Sequence, residues 1–363
     1  MKDILLHVAA ADFEAARRLE HLPTTHRAHA LHGHRFTGSV RAALPEGWGG
    51  VAGGEVDALT ARLRTALAPL DYQLLNDTVT RPGDEDLARW LRAQLDLPDV
   101  HAVGVRSTRH AGVQLDRHDD AYVWRRYVFQ SAHQLPRVAP GHKCGRMHGH
   151  GFEVLLHAKA APDAAVDPER IDVLWAPLHA QLHLACLNDI AGLDNPTSEN
   201  IAAWIWQQLK PLLPGLCWVT VYETASCGAQ FDGRQHRVWK EFTLDSAVRL
   251  KRAPDGDPRR RIHGHTFTLR LHLAAPLDPV MGWTVDFGGV KAQFAPLFER
   301  LDHAPLHELM DEDGRDADTA SLARRIMTLA TPLIPSLERL DLHETRGCGV
   351  ILQRGGSEPT LPV

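Results

Sequence analysis

The sequence predicts an α+β protein built from three tandem ββααββ units, closed within one chain into a pseudo-trimeric twelve-stranded barrel with helices outside. The first observation behind this is the tripeptide His-Gly-His. It occurs as LHGHRF, MHGHGF and IHGHTF, beginning at His32, His148 and His263. The intervals are 148 − 32 = 116 and 263 − 148 = 115 residues, and repetition at one period governs the whole fold. The second is that later landmarks keep step. LDYQLLND starts at Leu70, LHLACLND at Leu182 and LDHAPLHE at Leu301. RPGDEDLARWL, NPTSENIAAWI and DADTASLARRI follow, and each copy closes on VGVRST, VTVYET or LDLHET. The third is that the joints GVQLDRHDDA and FDGRQHR are short and polar, which bounds the copies at 1–118, 119–235 and 236–363.

The middle copy shows the elements most clearly. Tyr127, Phe129, Ser131 and His133 alternate on one face of a first strand. A loop with Pro136, Pro140 and Gly141 follows. Phe152, Val154 and Leu156 mark a second strand, repeated in the third copy by Phe267, Leu269, Leu271 and Leu273. Leu174, Leu178 and Leu182 recur at helical spacing. Pro196-Thr197-Ser198 opens a second helix with Ile201, Ile205 and Leu209 inward. CWVTVYET and GAQFD supply the last two strands. A four-stranded sheet has two open edges, and joining three such sheets side by side removes them.

Composition bounds the function classes. The chain has 363 residues, 44% of them hydrophobic, and a formal net charge of −5. That balance argues for neither nucleic acid nor an acidic membrane as partner. The N-terminal run is a poor signal peptide, and no stretch reaches the length of a membrane span. Five cysteines without framework spacing point to a reducing, cytoplasmic setting.

The chemistry gathers in the middle copy. His148 and His150 sit two apart on a strand, hence on one face, with Gly149 between them. His133 lies in phase at the end of the preceding strand. Three converging imidazoles with a fourth position open make a catalytic zinc site. The first copy has Arg17 at the His133 position and the third has Val248, so both lack the third ligand. In those copies the histidines read as structural polar residues.

Cys144 lies four residues before His148, in HKCGRMHGH, where the other copies have Ala28 and Arg259. Lys143, Arg146 and a nearby zinc are each expected to lower its pKa toward a thiolate that serves as a base. A fourth zinc ligand and an inert buried thiol are the other readings. The string Asp286-Phe287-Gly288 is not a kinase signature, because no glycine-rich or catalytic loop accompanies it. Arg259, Arg260 and Arg261 read as a solvated basic face, though such a loop can also meet a triphosphate.

HKCGRMHGHGF, LNDIAGLDNPTSENIAAWIW and the strand ending VYET together resemble the 6-carboxy-tetrahydropterin synthase branch of the 6-pyruvoyl-tetrahydropterin synthase family. The three-residue gap between Cys144 and His148 is similar to the carboxy branch of queuosine biosynthesis. The resemblance covers nearly all of the middle copy and, in degraded form, both outer copies. It implies the T-fold, a trimeric barrel that often stacks into a hexamer. Here one chain would supply the trimer, and two chains would stack face to face. It implies a lyase acting on 7,8-dihydroneopterin triphosphate, with zinc on His133, His148 and His150. Cys144 would be the base, Glu199 the pterin anchor and Glu223 its support. A pyruvoyl-type product and a non-catalytic pterin- or zinc-binding scaffold are the alternative outcomes. For Glu199 itself, a first-turn glutamate favouring the helix dipole is the plainer reading.

The family also uses an Asp-His pair from a neighbouring subunit. The middle copy departs from that pattern with Leu182-His183-Leu184, and the first with Leu70-Asp71-Tyr72; only the third reads Leu301-Asp302-His303. The resemblance therefore implies one active site per chain, with Asp302 and His303 contributed by the third copy to the middle one. An ion-paired surface turn is the other reading of that pair.

Overall fold

The protein is described by a computed structural model covering residues 2–160, 168–278, 280–311 and 314–356. The first copy runs β1 (Ile4–Arg17), β2 (His32–Ala42), α1 (Glu55–Leu67), a two-residue β3 (Gln73–Leu74), α2 (Asp84–Gln94), β4 (Val100–Thr108) and β5 (Ala111–Asp116). The middle copy repeats this as β6 (Ala121–His133), β7 (His148–Lys159), α3 (Pro168–Leu182), β8 (Ala185–Cys186), α4 (Ser198–Leu209), β9 (Leu216–Thr224) and β10 (Cys227–Phe231). The third runs β11 (His236–Val248), β12 (His263–Ala274), α5 (Phe287–Leu301), α6 (Leu306–Asp311), α7 (Thr319–Ala330), β13 (Leu337–Thr345) and β14 (Cys348–Gln353).

The ββααββ order is therefore present three times, with additions that periodicity did not announce. The two-residue strands β3 and β8 pair parallel with β1 and β6, Ala15 opposite Gln73 and Ser131 opposite Ala185. The third copy has α6 there instead, with a single parallel bridge from Ala247 to Pro305. The hydrogen-bonded path runs β14-β13-β12-β11-β10-β9-β7-β6-β5-β4-β2-β1, and β14 pairs back onto β1 with Ile4 opposite Gln353. Twelve long strands thus form a closed antiparallel barrel, the arrangement that leaves no open edge.

Burial explains why these segments form these elements. In β7, Phe152, Val154, Leu156 and Ala158 are fully buried at alternate positions. In α4, Ile201, Ile205 and Leu209 are buried as the sequence predicts, and the Thr197 hydroxyl caps the helix by accepting from the Asn200 N–H at 3.2 Å. In α3 the buried stripe is Ile171, Trp175, Leu178 and Leu182; Leu174 is only half-buried. The indole of Trp175, stacked 4.8 Å from Tyr127, takes the inward place expected for Leu174.

Packing groups the chain into two compact units. One comprises 1–121, 242–270 and 294–363; the other comprises 122–241 and 271–293. The third copy contributes to both.

Candidate metal centre and substrate pocket

The β6–β7 ladder sets His133 opposite His148 and Ser131 opposite His150. A Cβ at Gly149 would stand 3.1 Å from the Ser131 carbonyl oxygen, so glycine lets the two strands close at this point. The three imidazole centroids lie 4.5, 5.2 and 5.0 Å apart, and one nitrogen from each falls within 4.8 Å of the others. No other such group of histidine, cysteine or carboxylate ligands occurs among the described residues.

The outer nitrogens are already committed. His133 Nδ1 donates to the Pro196 carbonyl at 2.9 Å and His148 Nδ1 to the Arg146 carbonyl at 2.8 Å, since a carbonyl can only accept. That fixes the tautomers and leaves each Nε2 with a free lone pair. Nε2 of His133 and of His150 are buried without a hydrogen-bond partner. Burial also lowers the pKa of both rings, which favours the neutral form that binds metal. The Glu223 carboxylate stands 3.5 Å from His150 Nε2, too long for a committed hydrogen bond. Orphaned, neutral, converging nitrogens fit a zinc-type cation.

One carboxylate, Glu223, adjoins the three rings, and a second, Glu199, lies near Glu223. Glu223 accepts from the Ser198 hydroxyl at 2.7 Å and so ties β9 to the start of α4. Glu199 is 2% exposed, and burial pushes its carboxyl up to about 7. Its Oε1 accepts from the Thr284 N–H at 2.6 Å. A buried carboxyl with one oxygen so fixed is more than a helix-dipole residue. The aligned Glu85 instead pairs with Arg89 at 2.8 Å at the surface.

Cys144 sits on a single 3-10 turn, Lys143–Gly145, whose cap His142 accepts from the Cys144 N–H at 3.2 Å. His26 and Asp257 cap the matching turns on the N–H of Ala28 and Arg259, so these three residues do share one position. The expected lowering of the thiol pKa is not what the protein's own groups produce. Burial and then Glu223 push it up, Lys143 opposes them, and Asp286 adds to the rise.

The outer copies hold other chemistry in the same frame. Arg17 stands opposite His32 in the β1–β2 ladder, as His133 stands opposite His148. Its Nη1 donates to the Pro82 carbonyl at 2.9 Å and to Asp84 at 2.8 Å. In the third copy Val248 is buried, and a cavity remains beside it, lined by His263, His265, Thr319, Glu344 and Asp57. Arg259 is not a free basic group: it pairs with Asp257 at 2.7 Å and Asp57 at 3.1 Å.

Asp302 and His303 form a pair, Oδ2 to Nδ1 at 2.9 Å, with the His303 side chain 78% exposed. The pair raises the His303 pKa and helps to lower that of Asp302. His303 has φ 55°, Leu184 φ 59° and Tyr72 φ 54°, so all three copies turn left-handed at one residue. Just before it, Asp302, His183 and Asp71 each accept a backbone N–H from their own first strand, at 2.9, 3.2 and 2.9 Å. His183 therefore holds the place of Asp302, in a turn past the end of α3.

Sequence reasoning missed one segment. Residues 281–286 of the third copy lie against the middle copy's Asn195, Thr197, Glu199 and His142. The signal the sequence holds for it is Asp286, which stands 3.9 Å from His142.

Residues 7–117, 122–234 and 237–355 each match the family model of 6-pyruvoyl tetrahydropterin synthase. A 6-carboxy-5,6,7,8-tetrahydropterin synthase from Synechocystis sp. is 36% identical over 119 residues, 30% of this chain and 91% of the relative. Among solved structures, the 6-pyruvoyl tetrahydropterin synthase of Caenorhabditis elegans aligns with 29% of this chain and 89% of its own, at 21% identity and a TM-score of 0.25. A uricase from Arthrobacter globiformis aligns with 66% of this chain and 96% of its own, at 12% identity and a TM-score of 0.33. Three matches that together span most of the sequence make this chain a member of the 6-pyruvoyl tetrahydropterin synthase family.

Proposed function

We propose that the chain is a zinc-dependent lyase converting 7,8-dihydroneopterin triphosphate to 6-carboxy-5,6,7,8-tetrahydropterin, with one active site per chain. Family membership and the 36% identical relative support a tetrahydropterin-synthase-type lyase. The observation that carries the single site is the three-histidine set, complete only in the middle copy among the described residues. His133, His148 and His150 would hold the zinc, which when bound supplies a Lewis acid for the substrate's side-chain hydroxyls and a positive charge that offsets the push on the Cys144 thiol.

The remaining steps belong to the chain. Glu199 binds the donor edge of the heterocycle with its buried carboxyl, which the Thr284 N–H orients. Glu223 supports that anchor by holding the Ser198 hydroxyl, and with it the first turn of α4 that carries Glu199, at 2.7 Å. Cys144, as thiolate, removes a side-chain proton, and His303, oriented by Asp302, carries protons onward. The exposed ring of His303 and its pairing with Asp302 at 2.9 Å support that role. Two chains would stack face to face, which light scattering tests. The five free cysteines fit a reducing cytoplasm, and no described helix is long and apolar enough to cross a membrane.

Incubation of the zinc-loaded protein with dihydroneopterin triphosphate tests the reading. The expected result is the mass of the carboxy product together with acetaldehyde. A pyruvoyl product would change the assignment within the family, and no turnover would leave the scaffold reading.

A further inference from the structure

Strand alternation places a group of charges on the inner face of the barrel, away from the three-histidine set. In β2 a Cβ at Gly38 would meet Leu67 of α1 at 2.9 Å and Leu91 of α2 at 3.2 Å. Gly38, Val40 and Ala42 therefore face the helices, and Arg41 faces inward. The strand registers carry one transverse row from Arg41 through Val8 and Gly349 to His343. Residues directly opposite on paired strands share a face, so the whole row points inward. Asp341 and Arg339 lie on the same face of β13 as His343. The row crosses the seam where β14 pairs back onto β1.

Arg41 is 8% exposed, and its Nη1 is buried with no hydrogen-bond partner among the described residues. Asp341 is the carboxylate whose charge reaches it. Both oxygens of Asp341 already accept from Arg339, Oδ1 from Nε at 2.7 Å and Oδ2 from Nη2 at 2.9 Å. That pair is neutral, so the charge of Arg41 is left over. Burial and then Arg339 pull the Arg41 pKa down to about 9, which still leaves the guanidinium charged at neutral pH. His343 supplies no anion. Burial takes its pKa from 6.5 to about 4 against the pull of Asp341, and Arg270, Arg339 and Arg41 add to the fall. The neighbouring strands are apolar: Leu6, Val8 and Ile351 form a buried cluster, with Ile4 and Ala43 packed on it. An unpaired cation in such surroundings is costly. The positions that match Arg41 are 41 + 116 = 157 and 157 + 115 = 272, and both are histidine. An imidazole can be buried neutral, so the permanent cation at this position belongs to the first copy alone.

We propose that the inner face of the barrel at Arg41 binds a small monovalent anion of the halide class, chloride under ordinary conditions, which accepts from Arg41 Nη1 beside the Arg339–Asp341 pair. One negative charge matches the one positive charge left over. A monovalent ion also costs far less to dehydrate than phosphate or sulfate, which suits a donor so nearly buried. Because the row spans β2, β1, β14 and β13, the ion ties together the strands in which the two ends of the barrel sequence meet. A ligand that binds only the folded chain stabilises it in proportion to the logarithm of its concentration.

The test uses the full-length chain, melted in buffers where gluconate is replaced stepwise by chloride at constant ionic strength. The parent Tm is expected to rise with chloride by roughly 2 °C or more. Arg41→His puts an imidazole where the other two copies have one, and its Tm should not respond to chloride. Crystals of the parent soaked in bromide give a reading that needs no variant: an anomalous peak is expected at hydrogen-bond distance from Arg41 Nη1. Equal chloride responses in the parent and in Arg41→His would overturn the inference, and so would the lack of a bromide peak at that place. A bromide peak with no chloride response in the parent Tm would mean binding at crystal concentration only, and would overturn it too. A phosphate series in the same buffers separates the anion classes. A response to phosphate without one to chloride, lost in Arg41→His, would assign the position to an oxyanion and overturn the halide reading. If Arg41→His fails to fold, the parent's chloride series and the bromide peak decide together.

Discussion

Arg17 Nη1 lies 2.8 Å from Asp84 Oδ1 at the ladder position that His133 occupies in the middle copy. A guanidinium there supplies the positive charge a metal would otherwise bring, and it repels one. Val248 leaves the third copy with two imidazoles and no third, and no clustered set of three ligands forms there among the described residues. Metal analysis of purified protein is therefore expected to give one zinc per chain. His133→Ala should bring that value close to zero while His32→Ala and His263→Ala leave it unchanged. A measured content near three zincs per chain would show that the outer copies bind metal after all.

Arg17 has a stability role that follows from the same contact. Its side chain is 8% exposed and that of Asp84 14%, and Asp84 also accepts from the Ser107 hydroxyl at 2.5 Å. Arg17→Ala leaves the carboxylate nearly buried without its cation. Removing one partner of a fully buried pair costs roughly 3–5 kcal/mol, and the residual exposure here places the loss toward or below the lower figure. Thermal denaturation should show a clearly lower Tm for Arg17→Ala, and Arg17→Ala with Asp84→Ala should recover part of it. An unchanged Tm in the single variant would mean water screens the pair.

Acid should weaken the fold through buried histidines remote from the metal. His157 is fully buried between Trp124 and Trp218, and burial takes its pKa from 6.5 to about 3. His7 is 3% exposed and falls to about 4, again chiefly by burial. Both are neutral in the folded chain and charged in the unfolded chain between those values and 6.5. The unfolded state then binds more protons, so stability is full above pH 6.5 and is lost progressively as pH falls toward 3. Denaturant melts at pH 7.5, 6 and 5 should show this, and His157→Gln should flatten the slope. An equal slope in that variant would move the acid sensitivity elsewhere.

How legible this protein was in its sequence depended on which forces act locally. The HGH period exposed the repeat and, through strand alternation, the convergence of His133, His148 and His150. Leu174 was misjudged because Trp175, one position on, packs on Tyr127, and hydrophobicity alone does not rank two apolar neighbours. For the Cys144 thiol, Lys143 lowers the pKa as its place in the chain suggests, but burial and Glu223, distant in sequence, outweigh it among the protein's own groups. The segment at Met281, Gly282 and Thr284 is invisible for a related reason: its bonds to Asn195, Thr197 and Glu199 span about 85 residues, and no local pattern encodes such a contact.

The split active site gives the last prediction. Cys144 must pass its proton to a group within roughly 2.6–3.2 Å in the reacting complex, and His303, charge-stabilised by Asp302 at 2.9 Å, is the proposed acceptor. His183 is not its substitute. It accepts the Gln130 N–H at 3.2 Å, the bond that Asp302 makes with Asp245 at 2.9 Å, and the residue that follows it, at the position of His303, is Leu184. His303→Ala should therefore keep its zinc and its fold and lose turnover by roughly 10²–10⁴-fold. His183→Ala gives up one backbone bond at an exposed turn and should retain turnover within a few-fold, with a small drop in Tm. Asp302→Asn should fall between them, because it keeps an acceptor for the strand but withdraws the hydrogen-bond acceptor and the charge that together raise the His303 pKa. Single-turnover rates with dihydroneopterin triphosphate separate these cases. If His183→Ala were the inactive variant and His303→Ala the active one, the middle copy would be working alone, and the third copy's Asp-His pair would be an ion-paired surface turn.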